Sequence, residues 1–430
     1  MRLKLALTLL TLLCSSVSFA LPPAPAAPQE VPVAITGATV HIGNGKVLEQ
    51  ATVTFADGII TGVYGRDETP DLNGHEVLVR DGEHLYPGFI LPNTRVGLRE
   101  VNAVRASLDD RERGLVNASV RTLTAFNTDS ELLPTYRFNG VLTAQVTPTG
   151  SLIAGNSSIM QMDAWNWQDA AIKANDALHI YWPALVKRKV DALRQRVHYE
   201  RNEQYEERVE VIRALFAEAN QPQVTNLNML AVKRVLTGQR QLFIHAEHAK
   251  QLADAVQFIR EFNVPKPVLV GAREALKVKE LILEADVPVL VQFVHGLPAF
   301  PERSVDESYE RAAKFAEAGF TLGLAAKVRQ EPSSGRNLPF MAGTVAAYGL
   351  GKEAAVSLIT LGNAKLLGVS DKLGSIEVGK YATLFTSEGD ALEMMSNQLT
   401  SAFIQGRKVR IEGMQQELFE RFQEKYAGTD

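Results

Sequence analysis

Cysteine is all but missing from this chain: 430 residues contain one, Cys14. A single thiol closes no internal disulfide and makes no Cys-x-x-Cys redox or zinc pair, so stability has to come from burying apolar surface. A dominant charge is missing too. With 45 Lys and Arg against 49 Asp and Glu, mixed along the chain, the formal net charge is -4, which leaves no electrostatic footprint for nucleic acid or an anionic membrane. Beyond the N-terminal region no apolar run reaches the ~20 residues of a membrane span. Also absent are a Gly-x-Ser-x-Gly elbow, a His-Glu-x-x-His helix and a Gly-Lys-Ser/Thr phosphate loop, so serine hydrolase, zincin and nucleotide-binding readings have no motif behind them.

What is present begins with Met1–Ala20: Arg2 and Lys4, an apolar run from Leu5 to Leu13, then Ser18-Phe19-Ala20. This is the pattern of a secretory signal peptide, and it predicts a periplasmic or secreted protein whose cleavage removes Cys14. A lipoprotein reading through Cys14 is weaker, because Thr11-Leu12-Leu13 lacks the small residues expected before it. Pro22, Pro23, Pro25 and Pro28 mark 21–30 as a stiff, extended linker.

Val31 to Val79 consists of short alternating runs, with Asp57-Gly58 supplying the positive φ values of a tight hairpin. Glycine-punctuated strands return from Gly374 to Val409. A composite β-sandwich domain built from 31–80 and 374–412 is therefore expected, closed by a C-terminal helix or tail over 413–430. Between the two β segments, over 81–373, short apolar strands alternate with amphipathic helices. The strands are Gly140–Val146, Ser158–Met162, Leu242–Ala246, Pro267–Gly271, Val287–Phe293 and Phe320–Ala326. That alternation predicts an α/β fold with a (β/α)8 TIM-like barrel, an open doubly wound sheet being the alternative. Val186 to Ala219, dense in Arg, Lys and Glu, reads as one long solvated helix.

Tyr86-Pro87-Gly88-Phe89-Ile90-Leu91-Pro92-Asn93-Thr94-Arg95 resembles the first barrel strand of the amidohydrolase superfamily, Pro-Gly-Phe-Ile-Asp-x-His-x-His. Ala154-Gly155-Asn156-Ser157-Ser158 and Ile359-Thr360-Leu361-Gly362-Asn363-Ala364-Lys365, followed by Gly374-Ser375-Ile376-Glu377-Val378-Gly379-Lys380, resemble later stretches of the secreted imidazolonepropionase-like members. The resemblance implies hydrolysis of non-peptide C–N bonds of the cyclic-amide type. It also implies one or two divalent metals held by the strand-one His pair, a Lys or Glu on strand four, His on strands five and six, and an Asp after strand eight. On this sequence Asn93 and Arg95 replace the first pair, His245 fits strand five, Gly271 falls near the strand-six position, and Ala325 or Ala326 falls at the Asp.

One surviving His does not supply the three or four ligands of a tight zinc site, and an Arg that never deprotonates brings a positive charge to where a dication would sit. The expectation is no resident metal, or at most a single Zn at His245 and His295 with a carboxylate. His245 and His295, each behind an apolar strand, are the candidate catalytic pair, able to act as acid and base. Asn93, Arg95, Arg273 and Asp163 are the candidate ligand-binding residues; for Arg95 the competing reading is a salt bridge to Glu100, Glu247 or Glu274. His41, His75, His84, His179 and His198 lack ligand spacing and are read as ordinary. Two functions follow: a hydrolase without the standard binuclear centre, or a metal-free pseudoenzyme binding a small anionic molecule or a partner protein. A homo-oligomer, or pairing with a related amidohydrolase, is compatible with either.

Overall fold

The computed structural model describes residues 24–191, 196–298, 303–326 and 334–427. The expected signal peptide lies outside the described residues. Strands β1 (Val33–His41), β2 (Val47–Ala56), β3 (Ile59–Tyr64), β4 (Glu76–Val79) and β5 (His84–Pro87) come first. With β18 (Leu384–Ser387), β19 (Leu399–Ile404) and β20 (Arg407–Lys408) they form one eight-stranded sheet ordered β20-β19-β18-β5-β1-β2-β3, β4 pairing with β1. The two chain ends meet where β5 runs antiparallel to β18, Tyr86 opposite Phe385. Asp57 and Gly58 turn β2 into β3 at φ 50° and 78°, a left-handed pair that Asp and Gly both tolerate.

The segment before β1 is not a free spacer. The Ala26 amide donates to Asp163 Oδ2 at 3.0 Å, and Arg407 Nη1 donates to Ala26 O at 3.2 Å.

The central part holds β6 (Phe89–Thr94), β7 (Val141–Val146), β8 (Ile153–Asn156), β9 (Ser158–Gln161), β10 (Ala171–Lys173) and β11 (Ala177–Tyr181). It continues through β12 (Val186–Asp191), β13 (Arg196–Arg201), β14 (Gln241–Ala246), β15 (Pro267–Gly271), β16 (Val289–Val291) and β17 (Leu322–Leu324). The expected single parallel ladder is replaced by two mixed sheets, β10-β9-β7-β6 and β17-β16-β15-β14-β11-β8. β6 and β7 are parallel, as are β11, β14, β15, β16 and β17, whereas β8 and β9 run against their neighbours.

The two sheets are stitched at Ser157, between β8 and β9: its amide donates to Ala177 O at 2.9 Å, and the Asp176 amide donates to Ser157 O at 3.0 Å. At the opposite edges Asn363 does the joining. Its Nδ2 donates to Ile90 O of β6 and Leu324 O of β17, both at 2.8 Å, and its Oδ1 accepts from Leu324 N at 2.9 Å. Ile90, Ile159, Phe243, Val268, Leu290 and Ala325, from both sheets, pack into one buried apolar cluster. The two sheets thus face a common interior, with helices such as Ala249–Glu261 burying their apolar face outside.

The long helix expected over Val186 to Ala219 is instead a hairpin, β12 against β13, followed by the helix Tyr205–Ala219. Lys189 Nζ sits 2.6 Å from Glu200 across the ladder. A run of alternating charge supports cross-strand pairs as well as helical ones, and here Val186, Val190 and Tyr199 carry strand propensity.

Candidate functional site

Alternation along β11 sends Leu178 and Ile180 into the outer core, while Ala177 joins the inner cluster. By the same period of two His179 and Tyr181 face inward. On β14 Phe243 and His245 do so, in register with His179 and Tyr181. Inside, a continuous chain of hydrogen bonds forms. His245 Nε2 lies 3.0 Å from His179 Nδ1, His179 Nε2 lies 2.9 Å from Ser157 Oγ, and Ser157 Oγ donates to Asp176 Oδ1 at 2.7 Å. Gln145 Nε2 donates to Asp176 Oδ2 at 2.7 Å, and Gln145 Oε1 accepts from the Asn93 amide at 3.1 Å.

His179 is fully buried and His245 partly so. Burial holds the His179 imidazole well below its ordinary range, with His245 beside it adding to the effect, and pushes His245 down to about 3. Burial raises the Asp176 carboxyl, against the opposing pull of Ser157, Gln145 and Lys173. Both imidazoles are therefore neutral, and among the described residues no group hydrogen-bonds His245 Nδ1.

Tyr181 stacks on His245 with ring centroids 4.0 Å apart and planes 15° apart, and burial pushes its phenol up to about 12. Tyr181 ends β11, opposite His245 of β14. Asn93 holds φ 55°, and neither its Oδ1 nor its Nδ2, both buried, meets a partner among the described residues. Arg95 Nη1 lies 3.7 Å from Asp110 Oδ2, which Arg99 approaches at the same distance. The ion pair expected with Glu100, Glu247 or Glu274 is thus shown with Asp110. Arg273 Nε stands 3.9 Å from Glu247 Oε2 and its guanidinium lies 5.1 Å over the Phe293 ring.

At Gly271 the backbone has φ 89°, and a Cβ would come within 2.5 Å of Glu247 Oε1. The positive φ favours glycine, and Gly271, having no side chain, offers no ligand at this position.

Two candidates sit elsewhere. His295 hydrogen-bonds Thr344 Oγ1 at 2.7 Å and meets the Tyr309 ring edge-on, rather than pairing with His245. Asp163 belongs to the opposite end of the strands: β9 is antiparallel to β7, with Gln161 opposite Thr143, so the chain leaves β9 near the start of β7. There Asp163 takes Arg407 Nη1 at 2.8 Å and Arg137 Nη1 at 3.9 Å, fastening the terminal sheet to the α/β unit. Asp163→Ala is expected to destabilise the fold by about 3 kcal/mol, because it leaves the buried Arg137 and half-buried Arg407 guanidinium groups without their carboxylate; the urea midpoint measures it.

Among the described residues no group of three or more His, Cys, Asp or Glu is placed to hold a metal ion. The residues at the expected ligand positions, Asn93, Arg95, Gly271 and Ala325 or Ala326, do not fit one, and His245 spends its Nε2 on His179. Sequence reasoning missed Gln145, Ser157, Asp176, His179 and Tyr181. The signal for three of them was the alternation Asp176-Ala177-Leu178-His179-Ile180-Tyr181.

A family model described as the amidohydrolase family matches residues 192–411. The chain belongs to the amidohydrolase family. Its fold is similar to that of an amidohydrolase from Thermotoga maritima MSB8, with 22% identity, 88% of this chain and 99% of that one covered, and a TM-score of 0.75. A prolidase complexed with N-methylphosphonate-L-proline aligns at 17% identity over 89% of this chain and 100% of its own, TM-score 0.57. Molinate hydrolase aligns at 16% over 90% and 96%, TM-score 0.56. No curated protein sequence matches the chain. At these identities the amidohydrolase likeness fixes the α/β fold and its added sheet.

Proposed function

We propose that this amidohydrolase-family chain is a hydrolase of non-peptide C–N bonds, of the cyclic-amide kind, working without the two-metal centre usual in the family. The eight stretches β6, β7, β8/β9, β11, β14, β15, β16 and β17 are read as the staves of a TIM-like barrel that Asn363 closes, with the site at the C-terminal ends of the parallel staves. The observation that carries the reading is the donor set there. One imidazole, already engaged through Nε2, stands with Asn93, Tyr181 and an Arg95 that shares Asp110 with Arg99. Such a set suits hydrogen bonding and proton transfer and is poor in the His, Cys or carboxylate groups a divalent metal needs.

Metal analysis of the purified chain after exposure to zinc is expected to find well under one equivalent. His245→Gln is expected to abolish turnover of cyclic amides while leaving the fold intact. Stoichiometric zinc would overturn the metal-free reading, and absence of turnover across a cyclic-amide panel would overturn the hydrolase. The second reading, a pseudoenzyme binding a small molecule at the same place, is favoured by one observation: the buried Asn93 amide without a partner among the described residues. An anion at Arg95 is less favoured, since Asp110 is already there.

A further inference from the structure

We infer that Asp176, Ser157 and His179 form a proton relay behind His245, which keeps His245 Nδ1 bare toward the site and carries the proton that Nδ1 takes up to the buried Asp176 carboxylate. The inference rests on the metal-independent reading of the site. Its geometry is an unbroken line of hydrogen bonds, Asp176 Oδ1 to Ser157 Oγ at 2.7 Å, Ser157 Oγ to His179 Nε2 at 2.9 Å and His179 Nδ1 to His245 Nε2 at 3.0 Å. Each interior member has one face that donates and one that accepts.

The direction of the line is set from its far end. The Asn93 amide occupies Gln145 Oε1, so the Gln145 NH2 group must face Asp176 Oδ2, where it donates. Oδ1 is then left as the acceptor for the Ser157 hydroxyl. Ser157 Oγ in turn accepts from His179 Nε2–H, and His179 Nδ1 accepts from His245 Nε2–H. A neutral His245 in that tautomer carries its lone pair on Nδ1, the nitrogen that no described group hydrogen-bonds.

When Nδ1 takes a proton from an O–H donor such as a water molecule, an N–H bond forms there and the donor is left as its anion. The Nε2 proton of His245 moves to His179 Nδ1, the Nε2 proton of His179 to Ser157 Oγ, and the Ser157 hydroxyl proton to Asp176 Oδ1. One negative charge leaves Asp176 and appears on the donor, and no imidazolium remains.

That outcome suits the surroundings. Phe243, Val270 and Leu290 make the interior apolar, so an imidazolium there lacks solvation. Around Asp176 the charged neighbours are Lys173 and Arg240, the latter donating to Asn156 Oδ1 at 2.6 Å and Asn175 O at 2.9 Å. At the other end Tyr181 stacks on His245, Arg95 and Asp110 lie beyond Tyr181, and Glu247 and Arg273 follow β14 and β15.

The test is 15N NMR of the full chain, chelator-treated and labelled in histidine, with His245 assigned through His245→Gln. The wild type is expected to show His245 protonated at Nε2 and bare at Nδ1. In Asp176→Asn the carboxamide must donate to Ser157, which reverses every bond in the line, so the two His245 nitrogen resonances are expected to exchange identity. Ser157→Ala breaks the line; there the single tautomer gives way to a mixture, and adding Asp176→Asn changes nothing further. Bonds that do not couple Asp176 to His245 would leave the His245 tautomer the same in all variants, and that result would overturn the relay, as would Nδ1–H in the wild type. Zinc addition separates the two proposals: stoichiometric uptake would overturn the metal-free reading alone, whereas an unmoved tautomer in zinc-free protein would overturn the relay alone.

Discussion

Asn363→Asp is expected to destabilise the protein by about 3–6 kcal/mol, a large part of the ~5–15 kcal/mol that holds a domain folded. The substitution changes one NH2 group to oxygen. Among the described residues no ladder pairs β17 with β6; β17 has only three residues, and the Asn363 carboxamide spans the gap with two donated bonds and one accepted. Asp keeps the accepted bond and turns both donations into oxygen facing oxygen, with a charge added in a fully buried place. Gly323 shows how tight the fit is: a Cβ there would lie 2.4 Å from Asn363 Oδ1. Gly323→Ala should therefore harm the same junction, and the double variant should lose less than the sum of the two singles. Urea unfolding of the three variants measures this, and a loss under about 1 kcal/mol for Asn363→Asp would remove the carboxamide from its place as the closing element.

That residue was legible as pattern before its work was visible. Asn363 stands in the stretch that carried the family resemblance, and the family match supports that resemblance. Its three bonds join segments far apart in sequence, which no local pattern encodes.

The site was less legible, for physical reasons that differ from residue to residue. Asp163 follows an apolar strand as the other candidates do, but a period of two is the same whichever way a strand runs. Only the pairing of β9 with β7 shows that the chain there heads away from the site. β11 was overlooked because its inward positions, His179 and Tyr181, are polar, so the usual sign of a strand buried on both faces, a continuous apolar run, is broken. Val186 to Arg201 satisfied helical charge spacing and strand alternation together, and the exposed hairpin won. His245 was read with His295 as a catalytic pair; in the structure its hydrogen-bond partner is His179 on the neighbouring strand, and His295 pairs with Thr344.

Those two inward histidines make the second large prediction, a steep loss of stability in mild acid. Each imidazole has a folded pKa depressed below the unfolded value of 6.5, His245 to about 3 and His179 well below, with burial the first cause for both. Below pH 6.5 the unfolded chain therefore binds protons that the folded chain refuses. The stability these groups contribute is whole above pH 6.5 and is lost as pH falls toward the folded values. Each such proton is worth about 1.4 kcal/mol per pH unit, so the pair removes roughly 5 kcal/mol over two units. Asp176 works in the other direction. Burial raises its folded pKa above the ordinary 3.8, so between those two values the folded chain binds a proton the unfolded chain does not, and the slope eases by about one proton. The expected curve is flat above pH 7, falls by at least two protons' worth on entering acid, since burial lowers His84 and His295 as well, and then becomes shallower. His179→Gln keeps a neutral hydrogen-bonding side chain and cannot charge, so it should take about one proton out of the steep part while lowering stability at neutral pH. Urea midpoints across that range for the two proteins measure the effect, and parallel curves would show that His179 is not the neutral, buried group described.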